Sequence, residues 1–148
     1  MNSVETAGRF SLILVLLVAT SALALPAEKD PLRPRVPLEK RGIYRNLSSP
    51  LYNDSKFAPP TTIEAGQKVY GRVCSNCHGE SGDGGGPTGE FLPVKPRDFT
   101  NCQFQKKRAA GELFYVIKFG SWPMPPMIPL ITEEEAWEVV AYIRTFCY

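Results

Sequence analysis

The sequence predicts an all-α domain of three main helices, preceded by an irregular proline-rich arm. Apolar residues recur at helical spacing in three stretches after residue 60, and no stretch alternates as a strand would. The 14 prolines and 12 glycines gather before and between those stretches. A chain of 148 residues suffices for one domain of ordinary size plus an extension. Its net charge of +2, from 17 Lys and Arg against 15 Asp and Glu, is too balanced for binding driven by phosphate neutralisation, so no nucleic-acid partner is expected.

Residues 10–25 form an apolar run of about sixteen residues, short of the roughly twenty that a spanning helix needs. The run ends in Ala22-Leu23-Ala24, a small-x-small site of the kind cut on export. Its flank is weak, with Arg9 opposed by Glu5. Residues 1–24 are read as a signal peptide, with an uncleaved membrane anchor and a buried core helix as alternatives. Export or anchoring would put the remaining chain in the periplasm or on the periplasmic face of the cytoplasmic membrane, where disulfides persist.

Residues 25–60 hold Pro26, Pro31, Pro34, Pro37, Pro50, Pro59 and Pro60, and no helical or alternating period survives among them. Seven basic residues against four acids make this arm +3, whereas nine bases against ten acids make residues 61–148 −1. The composition suits a solvated linker or an arm wrapped on the domain. Ile43, Tyr44, Leu47, Leu51, Tyr52 and Phe57 supply anchors that a plain linker does not need, and they admit a second reading, an arm docking a protein partner.

The first main helix is placed at Thr61, with Glu64 at the capping-box position and Gly66, Tyr70, Val73 and Cys77 at near-helical spacing. The second covers residues 112–119, with Leu113, Val116 and Ile117 on one face and Gly120 as its stop. The third begins at Thr132, with Glu135 as its capping-box partner and three acids in its first turn. Ala136, Val139, Val140, Ile143 and Phe146 form its buried stripe. Helices this short, separated by a glycine-rich stretch, leave a core that needs something bulky besides side chains.

Cys74-Ser75-Asn76-Cys77-His78 points to that component, because C-x-x-C-H is the attachment motif of c-type haem. Each thiol adds across one vinyl group, and the adjacent imidazole becomes an axial iron ligand. Other readings of these residues are a redox-active Cys74/Cys77 pair, a Cys74–Cys77 structural disulfide, and a zinc site completed by two of His78, Cys102 and Cys147. His78 is the sole histidine, so bis-histidine ligation within the chain is impossible. Of Met1, Met124 and Met127, the first lies in the export segment. The proline-locked loop Gly120-Ser121-Trp122-Pro123-Met124-Pro125-Pro126-Met127 can hold a thioether against iron. Met124 is the expected sixth ligand and Met127 the alternative, while the bland reading of either is packing against the ring alone.

Gly66, Tyr70, Cys74, Cys77 and His78, with Met124-Pro125-Pro126 and Trp137-Glu138-Val139-Val140-Ala141-Tyr142-Ile143-Arg144, resemble class I c-type cytochromes. The resemblance covers residues 61–146 and not the arm. It implies a small all-α fold around one covalent haem c, with first and last helices crossing closely at Gly66 and Tyr70 packing against Val139 and Tyr142. It also implies a proline carbonyl, matched by Pro87, accepting the His78 ring N–H.

Some residues outside these motifs allow both a functional and a bland reading. Arg97 is a candidate for a haem propionate, or a solvated loop arginine. Trp122 shields the haem or fills core, and Lys106-Lys107-Arg108 steers an acidic partner or forms a solvated turn. Cys102 and Cys147 form an even pair suited to a disulfide.

Histidine–methionine ligation leaves no vacant iron position, and no nucleophile–base or paired-carboxylate arrangement is evident. The expected activity is therefore single-electron transfer between redox protein partners, with no small-molecule substrate and no enzymatic step of its own. A fixed haem subunit of a larger membrane-associated oxidoreductase or respiratory complex, docked through the arm, is the alternative. A haem enzyme or gas sensor would need an open iron.

Overall fold

The computed structural model describes residues 35–53 and 58–147. The expected export segment and Phe57 lie outside them. Within the described residues the chain is helical, running α1 (Leu38–Arg45), α2 (Pro60–Val73), α3 (Ser75–His78), a 3-10 turn (Gly89–Phe91), α4 (Cys102–Lys107), α5 (Ala110–Phe119) and α6 (Glu133–Thr145). The three longest, α2, α5 and α6, are the three main helices expected. No helix among the described residues is long and apolar enough to cross a membrane.

The crossing of α2 and α6 is the main packing contact of the fold. It exists because Gly66 has no side chain: a Cβ there would lie 2.0 Å from the Glu138 carbonyl oxygen. Beside it Tyr70, 2% exposed, meets Tyr142 edge-on with ring centroids 5.3 Å apart. The Tyr70 hydroxyl donates to the Gly79 carbonyl (2.7 Å), tying α2 to the turn after α3. Val139 lies in the same core cluster. Ala136, Val139, Val140 and Ile143 of the α6 stripe are buried and Phe146 is half-buried, and Trp137 stacks on Phe114 of α5 at 4.3 Å and 7°. Removing each large apolar side chain from water contributes about 1.5–3 kcal/mol.

Helix α6 starts as its sequence dictates. The Thr132 hydroxyl accepts from the Glu135 N–H, and the Glu135 carboxylate accepts from the Thr132 N–H. Helix α2 does not start at a Thr61 capping box. Pro60 opens it, no side-chain cap is present, and Pro59 is the cap residue. Proline at the first helical position has its φ preset and lacks only an N–H that has no partner there anyway. Helix α5 begins two residues earlier than its apolar pattern indicates, because the Glu112 carboxylate reaches back to accept from the Ala109 N–H (2.9 Å).

The arm is not wholly irregular. Helix α1 interrupts it, and among the described residues of the arm Val36 (3% exposed), Tyr52 and Ala58 are buried against the domain. Tyr44 packs edge-on against Tyr115 at 4.6 Å, and the Tyr52 hydroxyl donates to the Trp137 carbonyl at 3.0 Å. Gly111 lets the Tyr44 carbonyl approach so closely that a Cβ would sit 2.0 Å from it. Ile43 and Leu47, expected as anchors, are exposed instead.

A disulfide joins Cys102, at the start of α4, to Cys147 just after α6. Between these two elements the buried Arg144 guanidinium donates to the carbonyl and side-chain oxygens of Gln105 and to the Arg108 carbonyl.

Candidate functional site

A cavity of about 370 Å³ opens between α2, α3, α5, α6 and the loop before α6. This volume lies within the range of cofactor pockets, ~300–1,000 Å³. Cys74, Cys77, His78, Met124 and Met127 all line it. Leu113, Val116, Ile117, Val139 and Ile143 give it apolar walls.

The cysteines and histidine reach the cavity through local geometry. Helix α2 ends at Val73, and α3 follows at once with the backbone bonds Cys77 N–H to Cys74 O (3.1 Å) and His78 N–H to Cys74 O (2.9 Å). One turn therefore carries both thiols and the imidazole. The glycine-rich segment then folds back over α3 and covers its exposed carbonyls. Gly84 N–H donates to His78 O (2.8 Å), Gly86 N–H to Cys77 O (3.2 Å) and Thr88 N–H to Asn76 O (2.9 Å). Glycine is needed for this close approach, since a Cβ at Gly86 would be 2.5 Å from the Asn76 carbonyl oxygen.

His78 is buried and stacked on Phe99 with ring centroids 4.6 Å apart. Its Nδ1 lies 3.1 Å from the Arg97 carbonyl, an acceptor, so Nδ1 carries the hydrogen and Nε2 keeps its lone pair. The acceptor is thus Arg97 and not Pro87. The segment around Pro87 is occupied in covering α3, and the chain presents a carbonyl to the ring ten residues later. Burial lowers the His78 pKa, opposed by the bond to the Arg97 carbonyl and aided by the Arg97 charge, so the neutral ligand form is favoured.

Burial, with Cys77 adding to it, pushes the Cys74 thiol up to about 12. A redox-active C-x-x-C instead needs a lowered thiol pKa. The four-donor zinc set is not assembled, because Cys102 and Cys147 are bonded to one another. Cys74 and Cys77 are not joined, so the alternative of a structural disulfide is also absent.

Met124 sits in the loop between α5 and α6, half-buried against the core. Ser121 and Met124 exchange backbone hydrogen bonds, each 2.9 Å, and close the loop on itself. Met127 is more deeply buried, and its N–H donates to the Ile117 carbonyl (2.9 Å). Both methionines line the cavity together with His78.

Arg97 lines the cavity with its guanidinium over the Phe104 ring at 4.8 Å. Arg108 also lines it and is buried, so of the Lys106-Lys107-Arg108 run only the two lysines, at the end of α4, are exposed to solvent. Trp122 is 71% exposed and fills no core. Charged cavity residues without an assigned role in the sequence include Arg35 and Glu112. Arg35 belongs to the arm, and Glu112 is 1% exposed with Oε1 unpartnered among the described residues. Glu112 carried a signal: three residues past Ala109, it stands where a carboxylate caps a helix.

Two thiols and an imidazole on one turn, a thioether on a second loop lining the same cavity, apolar walls and the cationic Arg97 and Arg108 fit a covalently held haem. The residues fit the group that their motif implies.

The family model described as "Cytochrome C oxidase, cbb3-type, subunit III" matches residues 61–143. Among solved structures, the chain is similar to a protein of the Kuenenia stuttgartiensis reducing HAO-like protein complex Kustc0457/Kustc0458. Identity there is 25% and the TM-score 0.57, over 70% of this chain and 49% of that one. The chain thus spans about half the length of that protein. It is also similar to the KustC0563 c-type cytochrome, at 30% identity and a TM-score of 0.50, over 56% of this chain and 98% of that one. No curated protein matches it in sequence.

Proposed function

The chain belongs to the family of cbb3-type cytochrome c oxidase subunit III and is a class I c-type cytochrome, and from that premise we propose that it is a monohaem carrier passing single electrons between redox protein partners on the periplasmic side of the membrane. The observation that supports this most directly is one cavity lined by Cys74, Cys77 and His78 from one turn and by Met124 from the loop before α6. Haem c supplies the one-electron Fe(III)/Fe(II) couple, and Cys74 and Cys77 are the residues that attach it.

In this reading His78 and Met124 are the residues that would hold the haem iron. His78 offers Nε2, because Nδ1–H is committed to Arg97, and burial keeps the ring neutral. Met124 offers a thioether, which favours the reduced state and raises the potential relative to a second imidazole. Arg97 and Arg108 carry positive charge at the wall, suited to propionates. With His78 and Met124 both holding the iron, no position on it would be left for a substrate.

A fixed subunit of a membrane-associated oxidoreductase is the second reading. The name of the matching family model and the complex containing the Kuenenia protein favour it. The electron-transfer chemistry is the same in both readings. Purification of the native protein separates them, since a carrier comes away alone and a subunit brings its complex.

The ligand assignment is tested on the haem-loaded protein. Met124→Ala abolishes the weak far-red sulfur-to-iron band and lowers the midpoint potential, while Met127→Ala leaves the band in place. A Met124→Ala spectrum identical to that of the unaltered protein refutes the assignment. Rapid and complete carbon monoxide binding by the unaltered reduced protein refutes six-coordination itself and favours a haem enzyme or gas sensor.

A further inference from the structure

We propose that the proline-rich arm is a working part of the metal site: Arg35 pins the loop that carries Met124, and so acts as a positioning residue for the thioether. The proposal rests on Met124 being the sixth ligand.

The loop needs such a tie. Its internal closure is the Ser121–Met124 pair, and its downstream anchor is Met127 on Ile117. Between and beside these, Pro123, Pro125 and Pro126 have no N–H to donate. Trp122, at the apex, is largely exposed and adds little packing. Its carbonyl accepts from the Arg35 guanidinium at 3.3 Å, across 87 positions of sequence. Arg35 also lines the cavity, so the contact lies at the mouth of the site.

Arg35 is held from behind. Val36 is 3% exposed, and its carbonyl accepts from the Arg41 guanidinium (3.4 Å) one turn into α1. Helix α1 is seated on α5 through Tyr44, whose ring contacts both Tyr115 and Phe119 and whose carbonyl fits against Gly111. Helix α5 runs directly into the loop. The arm therefore grips the helix that launches the loop and the loop's own apex, two points on either side of Gly120. Fixing a ligand-bearing segment in advance lowers the conformational entropy lost when its side chain binds. The guanidinium also sets a fixed positive charge at the cavity mouth, which disfavours the oxidised state.

The test uses the full-length haem-loaded protein with Arg35→Ala, Arg35→Lys and Met124→Ala. Arg35→Ala is expected to weaken the far-red band, lower the midpoint potential and let carbon monoxide bind a fraction of the reduced protein. Arg35→Lys, which keeps a charged donor, is expected to restore the band and the exclusion of carbon monoxide. An Arg35→Ala protein whose band and carbon monoxide exclusion are unchanged overturns the proposal, even if it melts at a lower temperature, because the arm then only stabilises. A Met124→Ala protein that keeps the band overturns it by removing the premise instead.

Discussion

Replacing Gly66 by alanine tests the helix crossing on which the fold rests. The added Cβ would lie 2.0 Å from the Glu138 carbonyl oxygen and 2.5 Å from its carbon, whereas ordinary contact begins at 3.4 Å. The obstacle is backbone, which cannot swing aside as a side-chain tip does. The helices must part by roughly the 1.4 Å difference, and a gap of even ~0.5–1 Å forfeits a quarter to a half of the dispersion energy of the atoms it separates. Overpacking of this severity lies at or beyond the upper end of the usual ~1–3 kcal/mol. Alanine recovers about 1 kcal/mol of helix propensity, so the net loss is about 2 kcal/mol or more. For a domain of this size that lowers the melting temperature by roughly 8 °C or more. Gly71 is the internal control: it lies in the same helix, and a Cβ added there would meet nothing within 4 Å, so Gly71→Ala is expected to stabilise by up to about 1 kcal/mol. Urea denaturation of both haem-loaded variants reads the difference. Equal stability of the two would refute the close crossing.

Two further perturbations probe the arm and the C-terminal end. Burial raises the Tyr52 phenol from 10.0 to about 12, with the Ser49 hydrogen bond and the Arg144 charge acting against the shift. A folded pKa above the unfolded one means that this contribution is whole below pH 10 and is lost as pH rises through about 12. Tyr52→Phe should therefore flatten the alkaline fall in stability and, through the lost bond to Trp137, cost about 1 kcal/mol at neutral pH. Parallel stability–pH curves over that range refute the linkage. Removing the Cys102–Cys147 bond by double serine substitution frees a loop of 45 residues, worth about 4 kcal/mol in the chain-entropy model. Thiol counting on the denatured haem-loaded protein should find none before reduction and two after, and two before reduction would refute the pairing.

Features set by neighbouring residues were legible in the sequence. The α6 start was readable because Thr132 and Glu135 satisfy one another three residues apart. The C-x-x-C-H turn was readable because its chemistry needs one helical turn and no tertiary partner. Helix α1 was not readable: its sequence is short, polar on average and set among prolines, and its seat is made by Tyr115, Phe119 and Gly111, far along the chain. The acceptor for His78 was misplaced for a similar reason. Glycines 84 and 86 spend their N–H groups on the carbonyls of α3, and this long-range pairing sets where the next free carbonyl meets the ring. Arg144 was also overlooked as a core residue. It falls four positions after Val140 on the buried face, a place from which charge is usually excluded unless it is paired.

The fastening of the last helix bears on how fast the protein exchanges charge. Helix ends ordinarily fray, and Ile143 sits close to the end of the element whose inner face walls the cavity. Here the guanidinium clasp onto α4 and the covalent staple at residue 147 hold that end in place. A boundary that stays still when the enclosed charge changes asks for little nuclear rearrangement. An electron can then hop across a modest driving force without waiting for the surrounding shell to relax.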